Sequence, residues 1–176
     1  MVSYVALLRG INVGGKNMLP MKDLVAMFGD AGCTDARHYI QSGNVVFRAA
    51  PALAKRLPDV IAKAIDRRFG YQVPVVIRAA EELADILESN PFPRAETDFL
   101  HVAFLASAPK KNAVDALDAK RSPPDSFIVR GREIYLHCPN GFGKTKLTNA
   151  YFDSKLGTTS TVRNWRTVAT LLQLSS

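Results

Sequence analysis

The chain has 176 residues, of which 47% are hydrophobic, and a formal net charge of +7 at neutral pH. This length and composition predict one large domain or two small ones that share an interface, with enough apolar residues for a packed core. No apolar run reaches the roughly 20 residues that a membrane helix needs, and the N-terminus lacks a basic segment and a cleavage site, so we expect neither a membrane span nor a signal peptide.

The first part of the chain predicts the element order βαββαβ. Residues 4–8 form a short, continuously apolar run bounded by glycine, which is typical of a buried strand, and Pro20 is preorganised for the first turn of a helix. The main body of the second helix is predicted to begin at Pro58. The alternative is a longer, kinked helix that begins at Pro51. The predicted segments are strand 4–8, helix 20–31, strands 37–40 and 45–47, helix 58–69 and strand 73–77.

This order is that of the ferredoxin-like sandwich, in which four antiparallel strands carry two helices on one face. In that topology the first and third strands pair at the centre of the sheet. The first strand therefore ends at the edge where the third strand begins, so the loop 9–17 and the turn 41–44 should meet there. We expect residues 1–79 to form this ferredoxin-like subdomain of an α+β protein.

Residues 80–176 predict a smaller α+β subdomain with fewer strands and a pair of C-terminal helices. Gly157 suits the end of one helix, and Ser160 or Thr161 suits the N-cap of the next. The apolar face of that last helix is expected to comprise Val162, Trp165, Val168, Ala169 and Leu172. The other predicted segments are a helix that includes 85–87, a strand at 101–106, a helix at 113–119, a hairpin of 127–130 and 133–138, and a helix from 147.

The loop 9–17 combines three glycines and two asparagines with an arginine and a lysine. Glycines let the backbone approach a ligand closely, and cationic side chains with exposed N–H groups suit an anion. Connections between a strand and a helix are usually shorter, and long ones are often functional. For the turn 41–44, the alternative is that Ser42 and Asn44 only satisfy the backbone of the turn itself.

We expect this loop and this turn to form one site, with a solvent-reachable pocket lined by Arg9, Asn12, Lys16, Gln41 and Asn44. No carboxylate or histidine falls in these two motifs, so they contain no evident general base. The full set of predicted ligand-binding residues is Arg9, Asn12, Lys16, Asn17, Gln41, Ser42 and Asn44.

The positive charge is concentrated near the C-terminus. Residues 110–176 hold 11 Lys or Arg against 5 Asp or Glu, whereas residues 1–109 hold 12 against 11. Such an excess suits an anionic partner, although many basic surfaces bind nothing specific. We expect one positive surface that binds polyanions weakly and without sequence preference. Its predicted residues are Lys144, Lys146, Lys155, Arg163 and Asn164.

The spacing of glycine, histidine and serine residues argues against several other kinds of functional site. The glycines at 10, 14 and 15 lack the spacing of the dinucleotide-binding fingerprint, and Cys138 stands where a phosphate-binding P-loop ending at Thr145 needs glycine. The three histidines show no metal-ligand spacing, and no serine lies in a nucleophile elbow. We therefore expect no metal and no cofactor, and we expect Cys33 and Cys138 to be buried thiols in a reducing cytoplasm.

Three motifs in order carry a family resemblance: residues 4–17 ending in Gly14-Gly15-Lys16-Asn17, residues 39–47 around Gln41-Ser42-Gly43-Asn44, and Lys155-Leu156-Gly157-Thr158 followed by Val162-Arg163-Asn164-Trp165. With them the chain resembles, nearly end to end, the bacterial family called domain of unknown function 1697. The resemblance implies an α+β fold. It supplies no activity and no residue roles.

Three functional hypotheses follow from the sequence. The first is a module that binds a phosphorylated or other anionic ligand, such as a nucleotide or the backbone of a nucleic acid; residues 43–47 lack the paired exposed aromatics that stack on bases. The second is a small-molecule enzyme that acts on an anionic substrate in the cleft between the halves. The third is a scaffold without a ligand, whose polar turns serve folding alone.

Overall fold

The computed structural model describes all residues, 1–176, and has a mixed α+β fold with eight strands and six α-helices. The strands form two four-stranded antiparallel sheets. The chain divides into two compact units, residues 1–84 with 170–176 and residues 85–169. None of the helices combines the length and the apolar character that crossing a membrane requires.

The first unit has its strands in the order β2-β3-β1-β4. Its elements are β1 (Val2–Leu8), α1 (Met21–Asp30), β2 (Thr34–Tyr39), β3 (Asn44–Ala49), α2 (Pro51–Phe69) and β4 (Val75–Ala79). The central strand β1 pairs with β3 on one side and β4 on the other, and Val5 faces Val46 and Arg78 across these two ladders. The predicted order βαββαβ and the predicted pairing of the first and third strands are confirmed.

The core of this unit lies on one face of the sheet, under α1 and α2. Alternate residues of β1 and β3 point into it, and both helices add apolar side chains at helical spacing. In α2 the buried residues are Ala54, Leu57, Ile61 and Ile65, and this face continues past Pro58 without a break. Burial of a large aliphatic side chain is worth about 1.5–3 kcal/mol, which offsets the one backbone hydrogen bond that Pro58 cannot donate. The helix therefore begins at Pro51, the alternative left open by the sequence.

The second unit repeats the same arrangement, with strand order β6-β7-β5-β8. Its elements are β5 (Leu100–Leu105), α4 (Lys111–Asp115), β6 (Ser126–Arg130), β7 (Glu133–His137), α5 (Asn149–Leu156) and β8 (Ser160–Asn164), preceded by α3 (Ala80–Glu88) and followed by α6 (Trp165–Ser175). In each unit the second, third, first and fourth strands follow one another across the sheet. The segments predicted from the sequence for this half, a strand, a helix and a hairpin, give only the first four elements of this arrangement, in the order βαββ.

The prediction of fewer strands in the second half is wrong, because β8 was not recognised. Residues 160–164 pair along β5, with Val102 opposite Arg163. The predicted N-cap at Ser160 or Thr161 is wrong for the same reason. The cap of α6 is Asn164, whose Oδ1 accepts a hydrogen bond of 2.8 Å from the N–H of Thr167. Short polar strands give a weak periodicity, and hydroxyl residues favour both caps and strand ends.

The two units differ in the loops that follow equivalent strands. Twelve residues, 9–20, connect β1 to α1, whereas five residues, 106–110, connect β5 to α4. After the third strand the difference is reversed: one residue, Ala50, leads into α2, but eleven residues, 138–148, lead into α5. The same topology therefore forms with short connections at both positions, so the long loops 9–20 and 138–148 exceed what the fold itself needs.

Candidate functional site

The long β1–α1 connection contains a small hairpin, which we call the finger and define as residues 12–17. The N–H of Asn12 donates to the carbonyl of Asn17 at 3.2 Å, and the N–H of Lys16 donates to the carbonyl of Val13 at 3.0 Å. Gly14 and Gly15 at its tip have φ angles of 58° and 73°. Two successive residues with positive φ form the type I′ turn that matches the twist of a hairpin.

The glycines and asparagines of this loop occupy the positions where the backbone has a positive φ angle. All three of its glycines and both of its asparagines have positive φ, with 54° at Asn12 and 49° at Asn17. Glycine adopts this region freely, and asparagine tolerates it better than most residues. The glycines and asparagines that suggest a ligand in the sequence are therefore also required by the conformation of the loop.

Asn12 joins the finger to the β2–β3 turn, residues 40–43. Its Nδ2 donates to the carbonyls of Leu19 at 2.9 Å and Gln41 at 3.0 Å, while its Oδ1 accepts from the N–H of Leu19 at 2.7 Å. The prediction that the two motifs meet at one edge of the sheet is confirmed by the bond to Gln41. Asn17 fixes the other side of the finger through a 3.0 Å bond from Nδ2 to the carbonyl of Gly10.

The β2–β3 turn is held from inside by Asn44. This side chain is fully buried, and its Nδ2 donates to the carbonyl of Tyr39 at 3.3 Å and to Oγ of Ser42 at 3.0 Å. The carbonyl of Gly43 accepts from the N–H of Leu8 at 2.9 Å, which brings the turn against β1. Asn44 therefore does what the alternative for this turn proposed, because it satisfies a backbone carbonyl at the start of the turn, and the Ser42 hydroxyl accepts from the same amide.

A pocket of about 300 Å³ opens between the finger and the turn, and Asn12, Met18, Leu19, Pro20 and Gln41 line it. Of the five residues predicted to line one pocket, Asn12 and Gln41 do so. The other three do not: Arg9 is half-buried, Lys16 is exposed on the finger, and Asn44 is buried under the turn. The predicted five-residue lining is wrong in that respect. The polar character of a segment does not say which of its side chains face a common cavity.

Apolar side chains around this pocket were not singled out from the sequence. Val13 is 60% exposed, Met18 55% and Ile40 49%, and these are three of the seven large hydrophobic residues that stand exposed in the whole chain. All three belong to the finger, the residue after it, or the turn that it contacts. The available signal was the presence of apolar residues inside turns otherwise rich in glycine and asparagine. Exposed apolar clusters mark binding surfaces more often than single exposed residues do.

The predicted polyanion-binding residues in the second unit divide into two groups. Lys144, Lys146 and Lys155 are exposed. Arg163 is instead used within β8, because its Nη1 donates to Oγ1 of Thr161 and to the carbonyl of Val162, both at 3.0 Å. Burial lowers the pKa of Arg163 to about 10, so it still carries its charge at neutral pH. Asn164 caps α6, as described above.

The third motif of the family resemblance, residues 155–165, has an evident structural role. Gly157 ends α5 with a φ of 64°. Ser160 then ties the start of β8 back to that helix, because both its N–H and its Oγ donate to Oδ1 of Asp153, at 2.7 and 2.8 Å. Ser160 of this motif thus connects α5 to β8.

The two cysteines are free and buried, as the sequence predicted. Burial raises the pKa of the Cys33 thiol, and it raises that of Cys138 to about 11. A thiol with a raised pKa holds little thiolate at neutral pH, so neither side chain is an activated nucleophile. No group of three or more His, Cys, Asp or Glu side chains is arranged to hold a metal ion.

His101 has an unusual environment in the second unit. Its ring stacks on Phe142 with centroids 4.4 Å apart, and its buried Nδ1 has no hydrogen-bond partner. Burial lowers the pKa of His101, so the imidazole favours the neutral form. The unfolded chain therefore binds a proton more readily than the folded one. As a result, the free energy of unfolding decreases as the pH falls through about 6.5, the unperturbed pKa of histidine.

We expect the variant His101→Phe to lose less stability than the wild type between pH 7.5 and 5. The phenyl ring retains stacking on Phe142 and cannot be protonated. At pH 7.5 the variant should be at least as stable as the wild type, because it removes a buried polar atom that has no partner. Urea unfolding across this pH range measures the effect. Parallel pH profiles for the two proteins would contradict this role of His101.

A family model described as "Protein of unknown function (DUF1697)" matches residues 1–135 of the chain. The solved structure of a conserved bacterial protein, SP0830 from Streptococcus pneumoniae, is similar at 21% sequence identity with a TM-score of 0.75, and the match covers 99% of this chain and 99% of that one. At that identity the similarity shows the fold alone. No protein with a curated description matches significantly.

Proposed function

The chain belongs to the family of proteins of unknown function DUF1697, and since that family supplies no activity, we propose from the site itself that the protein binds a small anionic ligand between the finger and the β2–β3 turn. The observation that carries the proposal is the sign of the charges there. The two segments that meet through Asn12 and Gln41 are the loop 9–20 and the turn 40–43, and their charged side chains are Arg9 and Lys16, with no Asp or Glu. Such a surface attracts anions.

Within this site, Lys16 and Gln41 have side chains that the fold does not use. Both are exposed, the Lys16 ammonium makes no hydrogen bond or ion pair, and Gln41 contributes only its backbone carbonyl to the contact with Asn12. Asn12, Asn17 and Asn44 hold the loops in place instead. The proposed ligand contacts are therefore Lys16 and Gln41, on a frame that the asparagines preorganise.

Binding is a better proposal than catalysis for this pocket. Its lining side chains belong to Asn, Met, Leu, Pro and Gln, and none of these exchanges a proton near neutral pH. The length of the β1–α1 connection supports a role beyond folding, because the equivalent connection of the second unit needs only five residues.

The proposal predicts that Lys16→Ala separates binding from stability. Its free energy of unfolding should stay within about 0.5 kcal/mol of wild type, as for ordinary surface substitutions. A thermal-shift screen of nucleotides, sugar phosphates and inorganic phosphate should raise the melting temperature of the wild type, because a ligand that binds only the folded state stabilises it. In the variant that rise should be lost.

Lys63→Ala is the matched control, since Lys63 is an exposed lysine on α2 outside the finger. It should retain the ligand-induced shift. If no anion in the screen shifts the wild-type melting temperature, the proposed function is wrong and the scaffold hypothesis takes its place. Destabilisation of Lys16→Ala by several kcal/mol would give Lys16 a structural role.

A second proposal concerns the three exposed lysines of the second unit, Lys144, Lys146 and Lys155. The first two lie on the long loop 138–148. Two hydrogen bonds hold this loop: the N–H of Lys146 donates to Oγ of Ser122 at 3.0 Å, and Nε of Arg121 donates to the carbonyl of Lys146 at 2.8 Å. We propose that these lysines bind a nucleic-acid backbone weakly and without sequence preference.

For single-stranded oligonucleotides, three phosphate contacts predict a slope of log K against log salt of about −2. The double variant Lys144→Ala/Lys146→Ala should reduce the magnitude of that slope by about one to two units, because each lysine releases about 0.7 counterion. The double variant Lys110→Ala/Lys111→Ala, at the exposed start of α4, should leave it unchanged. A flat salt response in the wild type would remove nucleic acid as a partner of this loop.

We also infer that each unit is a ferredoxin-like sandwich and that the predicted boundary near residue 79 delimits a subdomain. What supports the first inference is the strand order, second, third, first and fourth, with antiparallel neighbours in both sheets. Such folds carry many unrelated functions, so the fold does not choose among ligands.

A further inference from the structure

We infer that the ligand of the finger pocket is a ring-bearing anion of the nucleoside monophosphate class, with its phosphate at Lys16 and its base in the pocket against Gln41. This inference rests on the proposed function and specifies its ligand. Three properties of the pocket carry it: its preset wall, its apolar lining and the single amide left free.

The wall formed by Asn12 is preset by hydrogen bonds, and its amide has no free donor left for a ligand. Both hydrogens of its Nδ2 are engaged by the carbonyls of Leu19 and Gln41, and its Oδ1 is engaged by the N–H of Leu19. The carbonyl of Met18 accepts a 3.0 Å bond from the hydroxyl of Tyr71, which fixes the next stretch of the wall. These hydrogen bonds hold this part of the wall in place before a ligand binds, which lowers the cost of ordering it.

The rest of the lining is apolar and partly exposed. Met18, Leu19 and Pro20 are consecutive lining residues, and the Met18 side chain is 55% exposed. A thioether and a proline ring give flat, polarisable contact to a planar ring, whereas a sugar phosphate has no apolar surface to place there. Val13 and Ile40, each next in sequence to a lining residue, are further exposed apolar side chains of the finger and the turn. An anion without a ring would leave all of these side chains in water.

Gln41 supplies the polar contact that a base needs. It is the lining residue whose side-chain amide is free, with a donor and an acceptor side by side. That pair matches the adjacent donor and acceptor on the edge of a purine such as adenine, where Gln forms two hydrogen bonds. The volume of about 300 Å³ suits one nucleotide and lies at the lower end of small-molecule pockets.

The test is isothermal titration of the full chain with adenosine monophosphate, ribose 5-phosphate and adenosine at one ionic strength. We expect adenosine monophosphate to bind at least about tenfold more tightly than either part, because only it fills both the pocket and the lysine contact. Gln41→Leu and Met18→Ser should remove most of its advantage over ribose 5-phosphate and leave the affinity for ribose 5-phosphate unchanged. Lys16→Ala should weaken both phosphates by the same factor.

Gln72→Leu, at an exposed glutamine of the same unit, is the control and should change neither affinity. Equal affinities for adenosine monophosphate and ribose 5-phosphate would overturn the ring inference and leave the proposed function standing. Equal affinities for adenosine and adenosine monophosphate would overturn both, because the anion would then contribute nothing. Absence of binding by all three compounds would likewise overturn the inference, and the wider anion screen would decide the proposed function separately.

Discussion

Replacement of Gly43 by alanine should destabilise the first unit by about 2–5 kcal/mol, the sum of a left-handed backbone cost and an overpacking cost. Gly43 has a φ of +83°, and a Cβ at this position would lie 3.0 Å from both Cβ and the carbonyl oxygen of Leu8, and 3.2 Å from Cδ1 of Ile11. Leu8 and Ile11 are both buried, so neither can move aside at low cost. Urea unfolding followed by circular dichroism measures the loss.

Gly14→Ala is the matched control, because it isolates the contact from the conformation. Gly14 also has positive φ, +58°, but a Cβ there would meet nothing within 4 Å. Its alanine variant should lose only the left-handed cost, about 1–2 kcal/mol. If Gly43→Ala proved no more destabilising than Gly14→Ala, close approach of the turn to β1 would not be what requires glycine at this position.

Asn12→Ala should destabilise the same unit by about 2.5–5.5 kcal/mol, because three hydrogen bonds are lost at roughly 0.5–1.5 kcal/mol each and the strain of alanine at positive φ adds about 1 kcal/mol. The lost bonds are those to the carbonyls of Leu19 and Gln41 and from the N–H of Leu19. Circular dichroism is the suitable probe, since the single tryptophan, Trp165, belongs to the second unit.

Asn12→Gly separates the two contributions to that loss. Glycine adopts the φ of 54° freely, so this variant should lose the hydrogen bonds and regain about 1 kcal/mol relative to alanine. A result within about 0.5 kcal/mol of wild type for both variants would contradict the role of Asn12 in joining the finger to the turn.

These expectations divide the predicted site into residues that build it and residues that remain free. Substitution of Asn12 or Asn44 would displace the loops and so disturb the proposed site, whatever its ligand. Substitution of the exposed Lys16 or Gln41 changes the surface offered to a ligand without removing a contact of the fold. Mutational tests of binding are therefore informative at Lys16 and Gln41 and ambiguous at the asparagines.

The sequence determined the architecture of the first unit because its strands are strongly patterned. Continuous apolar residues at β1 and β3, separated by an amphipathic helix, predict buried neighbouring strands, and the topology then places the two polar turns at one edge. That edge placement was correct, as the bond from Asn12 to Gln41 shows. The signs of the charges on these turns were equally readable, since they need no coordinates.

Local patterns failed where packing decides. The strand β8 has five residues, and Val162 is its one apolar side chain. It forms because the edge of β5 is available for pairing. The helix α2 continues through Pro58 because its buried face lies against the sheet on both sides of the proline. In both cases the deciding contacts come from residues distant in sequence, and a local pattern does not contain them.

The roles of the polar residues were also decided by tertiary structure alone. In the sequence, Asn12, Lys16, Gln41 and Asn44 are equivalent candidates for ligand contacts. In the fold, the side chains of Asn12 and Asn44 donate to backbone carbonyls of the loop and the turn, while Lys16 and Gln41 remain exposed. A sequence determines which groups can form hydrogen bonds. Only the arrangement of the chain decides which of those groups the protein uses for its own contacts and which stay exposed.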